Sequence, residues 1–214
     1  MVQGRPDTSL APALDELARR DRHIGAAFDT LGLPPRRNQP RGFSGLLRIV
    51  MAQQLSVHAA RAIIGRLDEA TGCEPERLAA ASDPDLRALG LSRQKIGYAR
   101  ELATAVTSGS LEFRRLHRMN DDAAIVALTE VKGIGRWTAE IYLLFALGRP
   151  DIMPGGDLAV CVAAQRLKRL RSRPDEKRMR KIAEAWRPYR SAAARFLWHY
   201  YAHPGVPIVE RASS

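Results

Sequence analysis

Asp157, in the stretch GGDLAV, is a carboxylate placed where two glycines give way to an apolar helical run. Such a residue caps the helix that it opens, a role worth about 1 kcal/mol. The positive end of the helix dipole favours its ionised form. An anion held there can also stabilise positive charge that develops on a substrate. Upstream, EVKGIGRWTAEIY at 130–142 brings Lys132, Gly133, Gly135, Arg136 and Trp137 together. Gly133 can take a positive φ, and Gly135 has no Cβ to block a close approach. The helix that follows opens with N–H groups suited to a phosphate. A plain tight turn between two helices uses the same glycines, so the short motif alone leaves both readings open.

Other residues have chemistry to offer. Trp137 and Trp198 are either core residues or flat walls for an electron-poor ligand. Tyr142 reads as core. Gln53 and Gln54, in AQQLS at 52–56, sit at a sharp break between two helical patterns. They either solvate that junction or reach out to a partner. His199 and His203 have the i, i+4 spacing of a metal pair. No third ligand and no neighbouring Glu accompany them, which argues against zinc.

Helical periodicity carries these residues. Leu46, Leu47, Val50 and Met51 follow Ser44 on one face, and Ala60, Ile63, Ile64 and Leu67 follow Ser56 on another. Ile96, Ala99, Leu102, Ala103 and Val106 follow Ser92. The spacing predicts further helices near 121–130, 135–147, 157–172, 176–187 and 191–202. Alternating strand patterns are nearly absent, so the fold class is all-α. Pro- and Gly-rich stretches at 32–42 and 148–157 interrupt the helices and mark candidate boundaries. Ser191 reads as the N-cap of the last helix, and Arg190 as a brace beside it.

The chain has 214 residues and a net charge of +11, which favours a polyanionic partner. Arg outnumbers Lys 29 to 5. Between Gln165 and Arg195 twelve Lys and Arg stand against three Asp and Glu. That segment is either a solvated helical face or a surface that meets phosphates. Two cysteines, Cys73 and Cys161, exclude a four-cysteine iron–sulfur cluster within the chain and argue against a disulfide scaffold. No apolar signal segment opens the sequence, and nothing approaches a membrane span. A cytoplasmic setting without a membrane partner is the expectation.

The order of four segments narrows the class. VMAQQLSVHAARAI, LGLSRQKIGYARELA, GIGRWTAEIYLLFALGRPDIMPGGDLAV and WRPYRSAAARFLW resemble, in that order, the helix-hairpin-helix (HhH-GPD) DNA glycosylases. Within that family they are most similar to the DNA-3-methyladenine glycosylase II type. The resemblance implies two helical lobes, 41–150 and 1–40 plus 151–214, with an active-site cleft between them and the basic helices in the second. It implies that Asp157 is the catalytic carboxylate and that Asp151, the nearby rival, is not. It implies base-pocket roles for Trp137 and Trp198, and DNA contacts by Lys132, Gly133, Gly135, Arg136, Gln53 and Gln54, with Gln54 filling the space left by the flipped base. His58 reads as an ordinary exposed helical residue. In bifunctional relatives position 137 carries a Schiff-base lysine, so Trp137 implies an enzyme without strand-cleaving activity.

A monovalent Na⁺ or K⁺ held by the carbonyls of Thr129, Val131 and Ile134 is implied too, with no other cofactor and no iron–sulfur cluster. Only some forty residues precede FSGLL, so the β-rich domain of the larger relatives is expected to be absent. The expected activity is hydrolysis of the N-glycosidic bond of alkylated purines in double-stranded DNA by a monomer. Three rivals remain: a glycosylase for a deaminated or oxidised base; a non-catalytic hairpin DNA-binding protein, which would need neither Asp157 nor an aromatic pocket; and a basic all-α RNA-binding module.

Overall fold

The computed structural model describes residues 5–205. Among these, the only β pairing is an isolated antiparallel bridge between Pro6 and Pro35, and the fold is all-α as the periodicity predicts. The chain divides into two compact units. One takes residues 5–38 and 149–205, the other 39–148. Both cuts lie in the Pro- and Gly-rich stretches.

In chain order, the first unit begins with α1 (Ala11–Arg20) and α2 (Arg22–Leu31). The second unit holds α3 (Gly42–Ala52), α4 (Val57–Thr71), α5 (Pro75–Ala80), α6 (Asp83–Ala88), α7 (Arg93–Thr107), α8 (Phe113–Leu116), α9 (Asp121–Thr129) and α10 (Arg136–Phe145). The chain then returns to the first unit for α11 (Leu158–Leu167), α12 (Glu176–Ala183) and α13 (Arg190–Tyr201). Ser56 caps α4 by accepting the Ala59 N–H at 3.2 Å, and Ser92 caps α7 through the Lys95 N–H at 3.2 Å. Three ends differ from the periodicity, one being α12, which stops at Ala183 and passes into a 3-10 turn at Glu184–Trp186 and does not run to 187. Another is α3, which starts at Gly42, ahead of Ser44. The third is α11, which stops at Leu167 and not near 172, and Arg169 then turns the chain through φ 52°.

In the second unit α10 is deeply buried: Thr138 through Leu144 are all enclosed. Tyr142 is fully enclosed, and its hydroxyl accepts the Gly42 N–H at 2.8 Å, which ties α10 to the start of α3. Leu46, Leu47 and Met51 of α3, Leu67 of α4 and Leu102 of α7 complete the apolar core. In the first unit α11 packs on α13. Both turn small residues inward, Ala163 and Ala164 on one and Ala192, Ala193 and Ala194 on the other. Small side chains let two helix backbones come close, and this contact positions everything at the N-terminal end of α11.

A buried polar knot anchors the first unit. Asp21 accepts the Lys168 ammonium on both oxygens, at 2.9 and 2.8 Å, and the Trp186 indole N–H at 2.9 Å. It also caps α2 through the His23 and Ile24 N–H groups. Burial pushes the Asp21 carboxyl up. The hydrogen bonds from Lys168 and Trp186, with the Lys168 charge, outweigh that and hold it below the usual carboxylate range. Removing one member of such a pair leaves an uncompensated charge. Asp21→Asn is therefore expected to cost about 3 kcal/mol in urea unfolding at neutral pH. A lowered pKa contributes stability above the unfolded-state value and loses it as pH falls through the folded one. The gap between wild type and variant should therefore shrink below about pH 4.

Candidate active site

Asp157 stands in the first unit as the N-cap of α11, with its Oδ1 accepting the Val160 N–H at 3.0 Å. The same oxygen accepts the Trp198 indole N–H from α13 at 3.0 Å. A half-buried carboxylate is thus oriented by α11 and steadied by α13. The loop before it is braced as well. The Met153 carbonyl accepts both the Gly155 N–H at 2.8 Å and Arg180 of α12 at 3.1 Å. A Cβ on Gly155 would stand 2.9 Å from the Arg180 side chain, so only glycine fits against that clamp. The Cys161 thiol donates to the Gly155 carbonyl at 3.1 Å. Burial pushes this thiol up, and the Asp157 charge adds to the shift, so it is a packing group and not a nucleophile.

Asp151 is engaged elsewhere. Arg190 grips both of its oxygens, at 2.8 and 3.0 Å, and Arg187 reaches it at 2.8 Å. Arg190 is a brace, as its position suggests. Ser191 corrects the sequence reading: it lies inside α13, whose N-cap is Tyr189. Its hydroxyl donates to the Arg149 carbonyl at 2.6 Å and accepts the Ile152 N–H at 2.9 Å, stitching the 149–152 loop to α13. The basic segment is also partly accounted for internally. Lys168 pairs with Asp21, Arg180 with Glu176, Arg187 and Arg190 with Asp151, and Arg195 with Asp7. Arg171, Arg173, Lys177, Arg178 and Lys181 are exposed.

The hairpin lies wholly in the second unit. α9 ends at Thr129, the Ile134 N–H returns to the Val131 carbonyl at 3.0 Å, and Gly133 turns at φ 93°. A methyl group on Gly133 would run into the ring of Tyr98 on α7. Gly135 is different. It caps α10 at φ −83°, an ordinary conformation, without a side-chain cap, and a Cβ there would meet nothing within 4 Å. Lys132 is exposed and 4.0 Å from Glu101, and half-exposed Arg136 contacts buried Glu140 at 3.0 Å. Trp137 is 37% exposed, whereas Thr138 to Leu144, which follow it in α10, are buried, so it is not a core residue.

The 52–56 turn abuts this hairpin. The Gln53 amide donates to the Thr138 hydroxyl at 2.8 Å and to the Gly133 carbonyl at 3.3 Å, so it faces the protein. Gln54 is exposed and takes φ 57°, a left-handed conformation unusual for a residue with a side chain. Leu55 and Val57 beside it are 37% and 80% exposed.

Of the three carbonyls implied for a Na⁺ or K⁺, that of Thr129 ends α9, whereas that of Val131 already accepts the Ile134 N–H. The last carbonyls of a helix are left over by its own bonding, and each oxygen carries two lone pairs. Among the described residues, no three His, Cys, Asp or Glu side chains gather at metal-ligating distance. His199 and His203 point their ring nitrogens at the carbonyls of Leu31 and His199, at 3.3 and 2.8 Å.

With this geometry in view, the comparisons are decisive. The HhH-GPD superfamily of base excision DNA repair proteins matches residues 47–188. This chain belongs to that superfamily. The match takes in the 52–56 turn, the hairpin and Asp157, and Trp198 lies beyond it. DNA-3-methyladenine glycosylase 1 of Schizosaccharomyces pombe is 35% identical over 161 residues, 73% of this chain and 71% of its own. DNA-3-methyladenine glycosylase 2 of Escherichia coli is 30% identical over 72% of this chain and 53% of its own. Among solved structures, the S. pombe 3-methyladenine DNA glycosylase in complex with abasic DNA has a TM-score of 0.80 at 32% identity, covering 87% of this chain and 95% of that one. A Bacillus halodurans DNA-3-methyladenine glycosidase has a TM-score of 0.77 at 33% identity, covering 91% and 90%.

The two hairpin glycines make a test of what the superfamily motif owes to folding. Gly133→Ala meets both a positive φ and the Tyr98 ring, and should lower stability by about 1–3 kcal/mol. Gly135→Ala meets neither and should stay within about 0.5 kcal/mol of wild type. Denaturant unfolding of the two variants checks both.

Proposed function

We propose that this protein is a DNA glycosylase of base excision repair that hydrolyses the N-glycosidic bond of alkylated purines, such as 3-methyladenine and 7-methylguanine, in double-stranded DNA. The observation that carries this is the Asp157 carboxylate, held at the N-terminus of α11 and by the Trp198 indole in a chain of this superfamily. The names of the relatives, 3-methyladenine glycosylases, support the substrate class.

Gly135 supports the DNA contact. No neighbouring atom crowds that position, so the bare Cα leaves room for a partner to come close, beyond the ordinary preference of a helix N-cap for glycine over alanine. Under this reading a phosphate sits on the N–H groups that open α10, beside Lys132 and Arg136, with Gly133 shaping the turn. A cation on the Thr129, Val131 and Ile134 carbonyls would add positive charge next to that phosphate. No other cofactor is needed. The target base leaves the stack, because its glycosidic bond is out of reach inside the duplex. Gln54 enters the gap. Gln53 acts behind it, holding the turn to the hairpin.

The flipped base carries a positive charge when alkylated at N3 or N7. Trp137 and Trp198 offer aromatic faces that attract such a cation. The same charge makes the base a good leaving group, so no general acid has to be supplied. As the bond breaks, the sugar gains oxocarbenium character, which the Asp157 anion stabilises. The carboxylate also orients the attacking water. Trp137 occupies the position where a Schiff-base lysine would stand, and an indole cannot form that adduct. The product is an intact abasic site. Action as a monomer in a reducing cytoplasm belongs to the same proposal, in keeping with two buried free thiols.

Base release from DNA containing 3-methyladenine or 7-methylguanine tests the reading. Asp157→Asn should lose at least about 100-fold in single-turnover rate. Trp198→Phe keeps a ring but removes the N–H, and should lose roughly tenfold, the worth of one hydrogen bond to a charged group. No release by wild type from either lesion, or full activity of Asp157→Asn, would sink the proposal. Separately, Gly135→Ala should weaken DNA binding by roughly tenfold, about 1.4 kcal/mol. Unchanged affinity would remove the phosphate site from the hairpin.

A further inference from the structure

Lys95, in the first turn of α7, directs its ammonium inward. It donates to the Met51 carbonyl and, at 3.0 Å, to the Gln53 carbonyl. Both belong to the end of α3, where a helix leaves carbonyl oxygens over. An ammonium offers three donors and can gather such oxygens. Burial lowers its pKa, in keeping with a group withdrawn from solvent. One residue beyond these carbonyls, Gln54 sits in the left-handed region, which is costly for a residue with a side chain. A turn of that kind persists only where its surroundings hold it.

The hold comes from three directions. Lys95 collects the carbonyls. Gln53 reaches the Gly133 carbonyl and the Thr138 hydroxyl with its amide. Tyr98, three residues after Lys95 on the same helix, covers Gly133 with its ring. One turn of α7 therefore touches both the 52–56 turn and the hairpin.

We infer that Lys95 is a positioning residue: it locks the 52–56 turn in the conformation that projects Gln54 and Leu55, and α7 thereby joins duplex insertion and strand grip into one mechanical element. The inference rests on the glycosylase reading, since only a protein that extrudes a base needs a held wedge. Its effect falls on extrusion, not on affinity for phosphate, because the ammonium is directed at backbone carbonyls.

The test is Lys95→Met, which keeps the length of the side chain and removes the ammonium. Single-turnover base release is measured with one alkylated purine placed in a matched pair and opposite a mismatch, where extrusion is less costly. Release from the matched pair should fall about tenfold and release from the mismatch by less than about threefold, a difference in extrusion alone. The salt dependence of DNA binding should be unchanged. Equal losses on the two substrates would make Lys95 a general support of the fold and overturn the inference, as would no loss on either. A salt exponent smaller by about one would make it a phosphate ligand and overturn it too. If Lys95→Met does not fold, Lys95→Gln gives the same ratio, and a ratio equal to that of wild type rejects the role. Wild type run alongside separates the two failures. No release by wild type removes the glycosylase reading and this inference together, whereas wild-type release with an unchanged ratio removes only the role of Lys95.

Discussion

A carboxylate at the N-terminus of a helix is placed only as well as the helix behind it. The hydrogen bond from Trp198 to Asp157 joins the start of α11 to the middle of α13, and it exists because those two helices lie close. The alanines that line them are therefore part of the site, although none could touch a substrate. Behind Asp157 the Met153 carbonyl, Gly155 and Arg180 stop the loop from sliding along the helix axis. Arg190 and Ser191 fasten its other end. The first unit directs many of its polar interactions to a few residues of one loop.

The second unit reaches its geometry with backbone. Its hairpin presents N–H groups, carbonyls and a bare Cα, and buried side chains hold that shape from behind. Backbone donors cannot swing away as long side chains can, so they suit a partner whose phosphates repeat at fixed spacing. The exposed groups around them, Trp137, Gln54 and Leu55, are those whose position such a frame would need to control.

Much of this was legible in the residues. Ser56 and Ser92 announce their helices by local hydrogen bonding, which needs no tertiary context. Asp157 showed itself as a cap, and the order of the surrounding motifs assigned it a further role. Ser191 misled because it follows a Pro- and Arg-rich stretch like a cap, whereas its hydroxyl is drawn to a loop some forty residues earlier in the chain. Such distant partners leave no local trace. The inward turn of Gln53 and the half-buried ammonium of Lys95 were hidden for the same reason. The short helices α5, α6 and α8 run only six, six and four residues, too few for a 3.6-residue period to register. The links of Asp157 to Trp198 and of Asp21 to Lys168 span 41 and 147 residues, and only folding could reveal them.

The ion pairs of the first unit bear on how this protein looks from outside. Composition suggests a strongly cationic stretch between Gln165 and Arg195. Lys168, Arg180, Arg187, Arg190 and Arg195 are already matched by carboxylates. To an approaching polyanion these sites are nearly electroneutral, and the attractive field comes from the cations left over at the surface. Net charge read from a formula therefore overstates the long-range pull of this stretch and understates its cohesion. The arginine-rich character of the segment serves as internal mortar as much as it serves as bait.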